Sequence, residues 1–207
     1  MKKIGFTDII LFPKSLYEKF GPGRVTAIPG IIAIGIIDVI WPVIIIRPEV
    51  FTAAAGPDLI FNISLALMAI IVAGALDVLF FSLPAHDMLC WIGKKSGKDY
   101  SGVNIIRMFK IYMMSHVLII PLNMVLMLMP MFFPSLAGIV FLNVLDLYFT
   151  FVVPVWFAAV IFRGINTVYK LEKAAKRMVY VLVLLWTVML SYALDYLISG
   201  LLLDIFR

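Results

Sequence analysis

Five long apolar runs, separated by short stretches of charged and turn-forming residues, set the pattern of this chain. A bilayer's hydrocarbon core is crossed by about 20 apolar residues in a helix, so each run predicts one transmembrane span. They fall at about Val25–Ile46, Leu59–Leu83, Met108–Met129, Leu136–Phe162 and Met178–Leu203. Pro29 and Pro42 should bend the first span and free backbone carbonyls, Pro121 should kink the third, and Pro154 lies within the fourth. Pro84 is predicted to end the second span, leaving Leu83, Met88, Leu89, Trp91 and Ile92 at the interface. Ahead of the first span, Phe6, Ile9, Ile10, Phe12, Leu16, Tyr17 and Phe20 recur at helical spacing among charges. That pattern suits a helix lying in the interface.

Within the runs, polar residues follow the helical repeat. Asn62, Ala66, Ala69, Ala73 and Asp77 step by three or four along span two. Tyr112, His116 and Asn123 share a face of span three, and Asn143, Asp146 and Thr150 one of span four. Thr187, Ser191, Asp195 and Ser199 fall at successive steps of four in span five, which points Asp195 inward.

Composition sharpens the class. The chain of 207 residues is 64% apolar, with a mean hydropathy of +1.10. The expected fold is all-α and polytopic: a bundle of five transmembrane helices with short interfacial helices. Residues 1–24 form an N-terminal cytoplasmic or interfacial segment, and 25–207 the transmembrane domain. Met1-Lys2-Lys3-Ile4 opens no secretory signal, because it leads into no apolar stretch and small-residue cleavage site. Cys90 is the sole cysteine, so no intrachain disulfide forms.

Charge then orients the bundle. Lys2, Lys3, Lys14, Lys19 and Arg24 precede span one; Lys94, Lys95, Lys98, Arg107 and Lys110 surround the second loop; Arg163, Lys170, Lys173, Lys176 and Arg177 surround the fourth. Fifteen of the 17 basic residues thus share one side. The positive-inside rule puts the N-terminus in the cytoplasm and the C-terminus outside. This distribution accounts for the net charge of +5 without a nucleic-acid partner.

Four aspartates carry the candidate chemistry: Asp38, Asp77, Asp146 and Asp195 each sit inside an apolar run. An acid at the centre of a membrane helix costs at least about 2.5–3.5 kcal/mol and normally faces a bundle interior or a wet cavity. At 1.5 Å rise per residue, Asp38 and Asp146 lie near mid-membrane, Asp195 in the outer third and Asp77 close to the inner face. His116 lies about 12 Å and Asn123 about 22 Å from the cytoplasmic side, against about 20 Å for Asp38. The expected cluster is Asp38, His116, Asn123, Asn143 and Asp146, with Asp195 above it and Asp77 below. Such carboxylates, imidazole and amides can hold a cation or relay a proton. Equally, each aspartate can bond separately to a neighbouring helix and only join spans.

Other chemistries lack their residues. No Gly-x-Gly-Asp surrounds the acids, no glycine-flanked serine marks a nucleophile, and His86 and His116 lie on separate segments, so no enzyme is expected. Gly93-Lys94-Lys95-Ser96-Gly97-Lys98 has only three residues between its glycines and no Ser or Thr after Lys98, so it is a turn and not a P-loop. No resident cofactor is expected, a bound cation apart.

The chain resembles the Yip1 family of five-span membrane proteins, particularly its short prokaryotic members. The resemblance runs from about Leu11 to Ser199 and is carried by the stretch from Leu83-Pro84-Ala85-His86-Asp87 through Trp91 to Gly97-Lys98-Asp99-Tyr100, with a span containing Pro121 after it. Trp156 through Gly164 to Lys176 carries it again. The Asp-Leu-Tyr-Gly-Pro motif of eukaryotic members is absent, and the N-terminal segment is too short for their cytosolic domain. The resemblance implies a prokaryotic cell membrane and a non-enzymatic membrane-organisation or trafficking-type factor. It would bind partners at its cytoplasmic face, where Trp91, Lys94, Lys95 and Lys98 are the docking candidates. The implied partners are the bilayer and a second membrane protein or a second copy of the chain. The alternative is a small ion- or proton-coupled transporter or channel using the intramembrane aspartates.

Overall fold

The computed structural model describes residues 5–23, 27–52, 55–133 and 138–206. Ten α-helices make up the described chain: α1 (Phe6–Ile10), α2 (Lys14–Glu18), α3 (Ala27–Gly35), α4 (Trp41–Ile46), α5 (Glu49–Thr52), α6 (Pro57–Lys95), α7 (Ile105–Phe132), α8 (Ile139–Leu147), α9 (Val153–Tyr169) and α10 (Lys173–Leu197). Wider π turns at Ile36–Ile40, Tyr148–Val152 and Ile198–Leu202 join α3 to α4, join α8 to α9, and extend α10. No strand occurs among the described residues. Five helical segments are long and apolar enough to cross a membrane: Ala27–Ile44, Pro57–Lys95, Ile105–Leu126, Phe141–Tyr169 and Lys173–Ile205. The protein is an integral, multi-pass, all-α membrane protein. The expected starts of the first and fourth spans, Val25 and Leu136, lie outside the described residues, as do Lys2, Lys3, Arg24 and Arg207.

The second span departs from expectation. It does not stop at Pro84 but runs unbroken for 39 residues to Lys95. Proline removes the N–H that would bond the carbonyl four residues back, here Phe80. That carbonyl finds another donor: Trp186 Nε1 on α10 bonds it at 3.0 Å. The residues beyond Pro84 are not interfacial as a group. Leu89 and Ile92 are buried in the core with Tyr100 and Tyr169, while Trp91 is 54% exposed.

Small residues let the helices approach closely. A Cβ at Gly35 would fall on the Ile70 carbonyl, and one at Gly74 on the Ile31 carbonyl, so α3 and α6 cross backbone to backbone there. A Cβ at Gly164 would lie 2.6 Å from Ile111 Cγ2 and 2.9 Å from Tyr17 Cδ1, where α9, α7 and α2 meet. The N-terminal segment is therefore docked on the bundle. It is two short helices, not one, broken where Phe12 takes a φ of 62°. Tyr17 is buried and donates to the Val160 carbonyl at 3.3 Å, and burial pushes its phenol well above the usual range. Trp156 Nε1 bonds the Ile10 carbonyl at 2.9 Å, Lys110 Nζ bonds the Gly21 carbonyl at 2.8 Å, and Asp8 pairs with Arg163.

Two apolar cores result. The larger, towards the lysine-rich turn at Lys94–Lys98, holds Ile34, Val78, Phe81, Leu89, Met108, Ile111, Ile161, Ile165 and Val179. The smaller, towards the other end, holds Val39, Val43, Val50, Ala66, Ile70, Leu203 and Phe206. Arg47 closes that end, bonding Glu49 at 2.6 Å and the Leu203 carbonyl at 3.2 Å. Along α3–α4 and α6 the cores change over between Ile34 and Val39 and between Ile70 and Val78. Asp38 and Asp77 stand at that changeover.

Candidate functional site

A cavity of about 510 Å³ opens between the spans at this level. Asp38, Asp77, Tyr112, His116, Asn123, Thr187 and Asp195 supply its polar wall, and Ile119, Ile120, Phe149, Val153 and Phe157 much of its apolar one. Each π turn borders it, through Ile37 and Asp38, Phe149 and Thr150, and Ile198. Pro42 and Pro154, just past the first two turns, also line it. Neither has an N–H for the carbonyl four residues back, Asp38 in one case and Thr150 in the other. Local relaxation into a wide turn is how a membrane helix absorbs such a break, and π turns of this kind recur at functional sites.

The acidic centre is built on Asp77, which is 1% exposed near the middle of α6. Tyr112 donates its hydroxyl to Asp77 Oδ1 at 2.7 Å. His116, 8% exposed and one turn further along α7, brings Nε2 to 3.5 Å from Asp77 Oδ2. That is an ion-pair distance, too long for a good hydrogen bond. On the far side of the ring, Nδ1 lies 3.3 Å from the Tyr112 carbonyl. A carbonyl only accepts, so Nδ1 carries a proton there. Stacking holds this arrangement: Phe81 lies parallel to Tyr112 at 4.1 Å, and Phe157 meets His116 edge-on at 4.6 Å. Asp38 lines the same cavity. Its Oδ2, like that of Asp77, is buried without a hydrogen-bond donor among the described residues.

Of the expected cluster, Asp38, His116 and Asn123 line the cavity, as does Asp195, expected above it; Asn123 Oδ1 accepts from Tyr148 at 3.3 Å. Asp195 sits exposed at the mouth and accepts from Ser199 at 3.1 Å. Asn143 and Asp146 are exposed on α8 and do not line the cavity. Between Asp146 and Thr150 the helix widens into the Tyr148–Val152 π turn, and an extra residue in a turn rotates every downstream side chain by about 100°. Thr150 therefore reaches the cavity and Asp146 does not. Asp77, expected below the cluster, lines the cavity with Tyr112 and His116. Among the described residues, no three His, Cys, Asp or Glu side chains converge as metal ligands.

At the lysine-rich end, Lys95 Nζ sits 3.9 Å over the Trp91 ring, and Lys98 pairs with Glu172 at 3.3 Å across to α10. Lys94 is exposed. Nearby, His86 Nδ1 lies 2.7 Å from the Tyr169 hydroxyl and its Nε2 3.7 Å from Cys90 Sγ.

Fold and site together define a polytopic helical membrane protein with an acidic intramembrane cavity. No protein-family model, curated protein or solved structure matches the chain.

Proposed function

We propose that the protein is a small, non-enzymatic carrier coupled to protons or cations, in which Asp38, Asp77 and His116 hold the coupling charge. The observation that carries this reading is the pair of acids lining one cavity between the spans, each with a buried oxygen lacking a hydrogen-bond donor among the described residues, and one of them 3.5 Å from the His116 imidazole. Ionisable groups at such depth are characteristic of proton and ion pathways. Broken helices lining the site support the same reading. The basic side faces the cytoplasm under the positive-inside rule, with the C-terminus outside. The test is flux in vesicles reconstituted with the purified chain. An imposed pH or cation gradient should dissipate faster than in empty vesicles, Asp38→Asn and Asp77→Asn should each abolish the effect, and Asp146→Asn should preserve it. Flux that is absent, or indifferent to both acids, overturns the reading.

A second role is favoured by the exposure of Trp91 at the basic end: the partner-docking function that the Yip1-like resemblance implies, with Trp91, Lys94, Lys95 and Lys98 as the surface. A photo-cross-linker at position 91 should trap a membrane-protein partner; trapping lipid alone counts against it. The exposed Asn143 and Asp146 on α8 favour a second copy of the chain as a further partner.

A further inference from the structure

The cavity is more than an acid pair. Opposite its polar residues, Phe149, Phe157, Ile119, Ile120 and Val153 face the same space. Its volume of about 510 Å³ falls in the range of pockets that enclose a small organic molecule, roughly 300–1,000 Å³, far above what a bare ion fills. Asp77 is buried on α6, and Asp38, on the first π turn, is partly buried. Ser191, Tyr192 and Asp195 of the fifth span and Thr150 of the fourth are all exposed, so the opening is lateral, between those two spans. A ligand entering there meets Asp195 first and apolar side chains next, and reaches Asp38 and Asp77 last.

We infer that the cavity takes a monovalent organic cation, an ammonium carried on an apolar body, with the ammonium between Asp38 and Asp77 and the body against Phe149 and Phe157. This names the substrate class of the carrier proposed above and rests on that reading. Three observations converge on it. Asp38 Oδ2 is a buried acceptor without a hydrogen-bond donor among the described residues, Asp77 Oδ2 meets only His116 Nε2 at 3.5 Å, and an ammonium brings three donors and no acceptor. No three His, Cys, Asp or Glu side chains converge among the described residues, so the site suits a single charge more than it offers the oxygen-rich shell a divalent ion requires. Aromatic rings beside an acid favour a cation bearing hydrocarbon, through dispersion and through attraction of the charge to the ring faces.

The experiment is calorimetric titration of the purified full chain in detergent with 4-phenylbutylammonium, with the uncharged 4-phenylbutan-1-ol as its counterpart. Saturable binding of the ammonium at one site per chain is expected, with the alcohol about tenfold weaker or undetectable. Asp38→Asn and Asp77→Asn should each weaken the ammonium about tenfold or more and leave the alcohol unchanged. Asp58→Asn, on the exposed first turn of α6, should change neither. Should Asp77→Asn fail to fold, Asp38→Asn alone decides, since its affected oxygen has no hydrogen bond to lose. Equal binding of alcohol and ammonium, or ammonium binding indifferent to Asp38→Asn, overturns the inference. Absence of ammonium binding alongside vesicle flux that still requires Asp38 and Asp77 overturns the ligand class and leaves the proton or inorganic-cation reading standing. Loss of both overturns both.

Discussion

At the scale of single residues, the bundle depends on a few atoms with no room or no substitute. Gly35 and Gly74 hold α3 and α6 at backbone contact. Since backbone carbonyls cannot move aside as side chains do, Gly74→Ala should lower stability by about 1–3 kcal/mol or more. Gly200→Ala, where the new methyl would meet Tyr196 Cδ2 at an ordinary 3.5 Å, should be close to neutral. Thermal unfolding in detergent distinguishes the two, and equal melting temperatures would refute the close crossing. Tyr112 makes the one hydrogen bond that Asp77 accepts among the described residues. Tyr112→Phe keeps the stacking on Phe81 but leaves a buried carboxyl oxygen without a donor, which should cost about 1–3 kcal/mol. Tyr180→Phe removes only an exposed contact of 3.4 Å to the Val155 carbonyl and should stay within about 0.5 kcal/mol of the parent.

At the scale of elements, prolines and π turns decide which faces meet. In α6 the carbonyl that Pro84 leaves unbonded is taken up by Trp186, and this contact pins α10 to α6 beside the cavity. Trp186→Phe should therefore destabilise by about 1–3 kcal/mol, because the Phe80 carbonyl loses its donor within a membrane-spanning helix. Pro84→Ala should restore the helix's own bond to that carbonyl and make Trp186→Phe milder. A double-mutant cycle read by unfolding tests this; additive effects would show that the two residues act independently. The same element shows where reading the sequence succeeded and where it stopped. Five spans, their order and the stripe ending at Asp77 were legible, because apolar length and helical period are local properties. The continuation past Pro84 was not, because the donor to the freed carbonyl lies 106 residues away, and neither was the role of Asp77, whose partners Tyr112 and His116 stand on another span. Likewise Asn143, Asp146 and Thr150 share a face only while the helix stays regular. The π turn separates them, and no local signal beyond Pro154 announces it.

At the scale of the whole molecule, one feature of the monomer is energetically incomplete. Asn143 and Asp146 stand exposed within the fourth span, among the apolar Leu142, Val144 and Leu147. Polar groups facing hydrocarbon are costly, and they normally turn toward protein. An amide and an acid three residues apart are self-complementary: across a two-fold axis, Asn143 of each copy can donate to Asp146 of the other. Symmetry makes every such bond twice, and at about 0.6 kcal/mol per interhelical bond a dimer gains about 1.2 kcal/mol from the pair. Asp146→Leu should accordingly raise the dimer dissociation constant by about fivefold to tenfold. Asp146→Asn keeps an acceptor and should hold it near the parent value. Light scattering across a dilution series in detergent, or cross-linking in vesicles, measures the shift. A parent chain that is monomeric throughout would remove the second copy as the partner of this face.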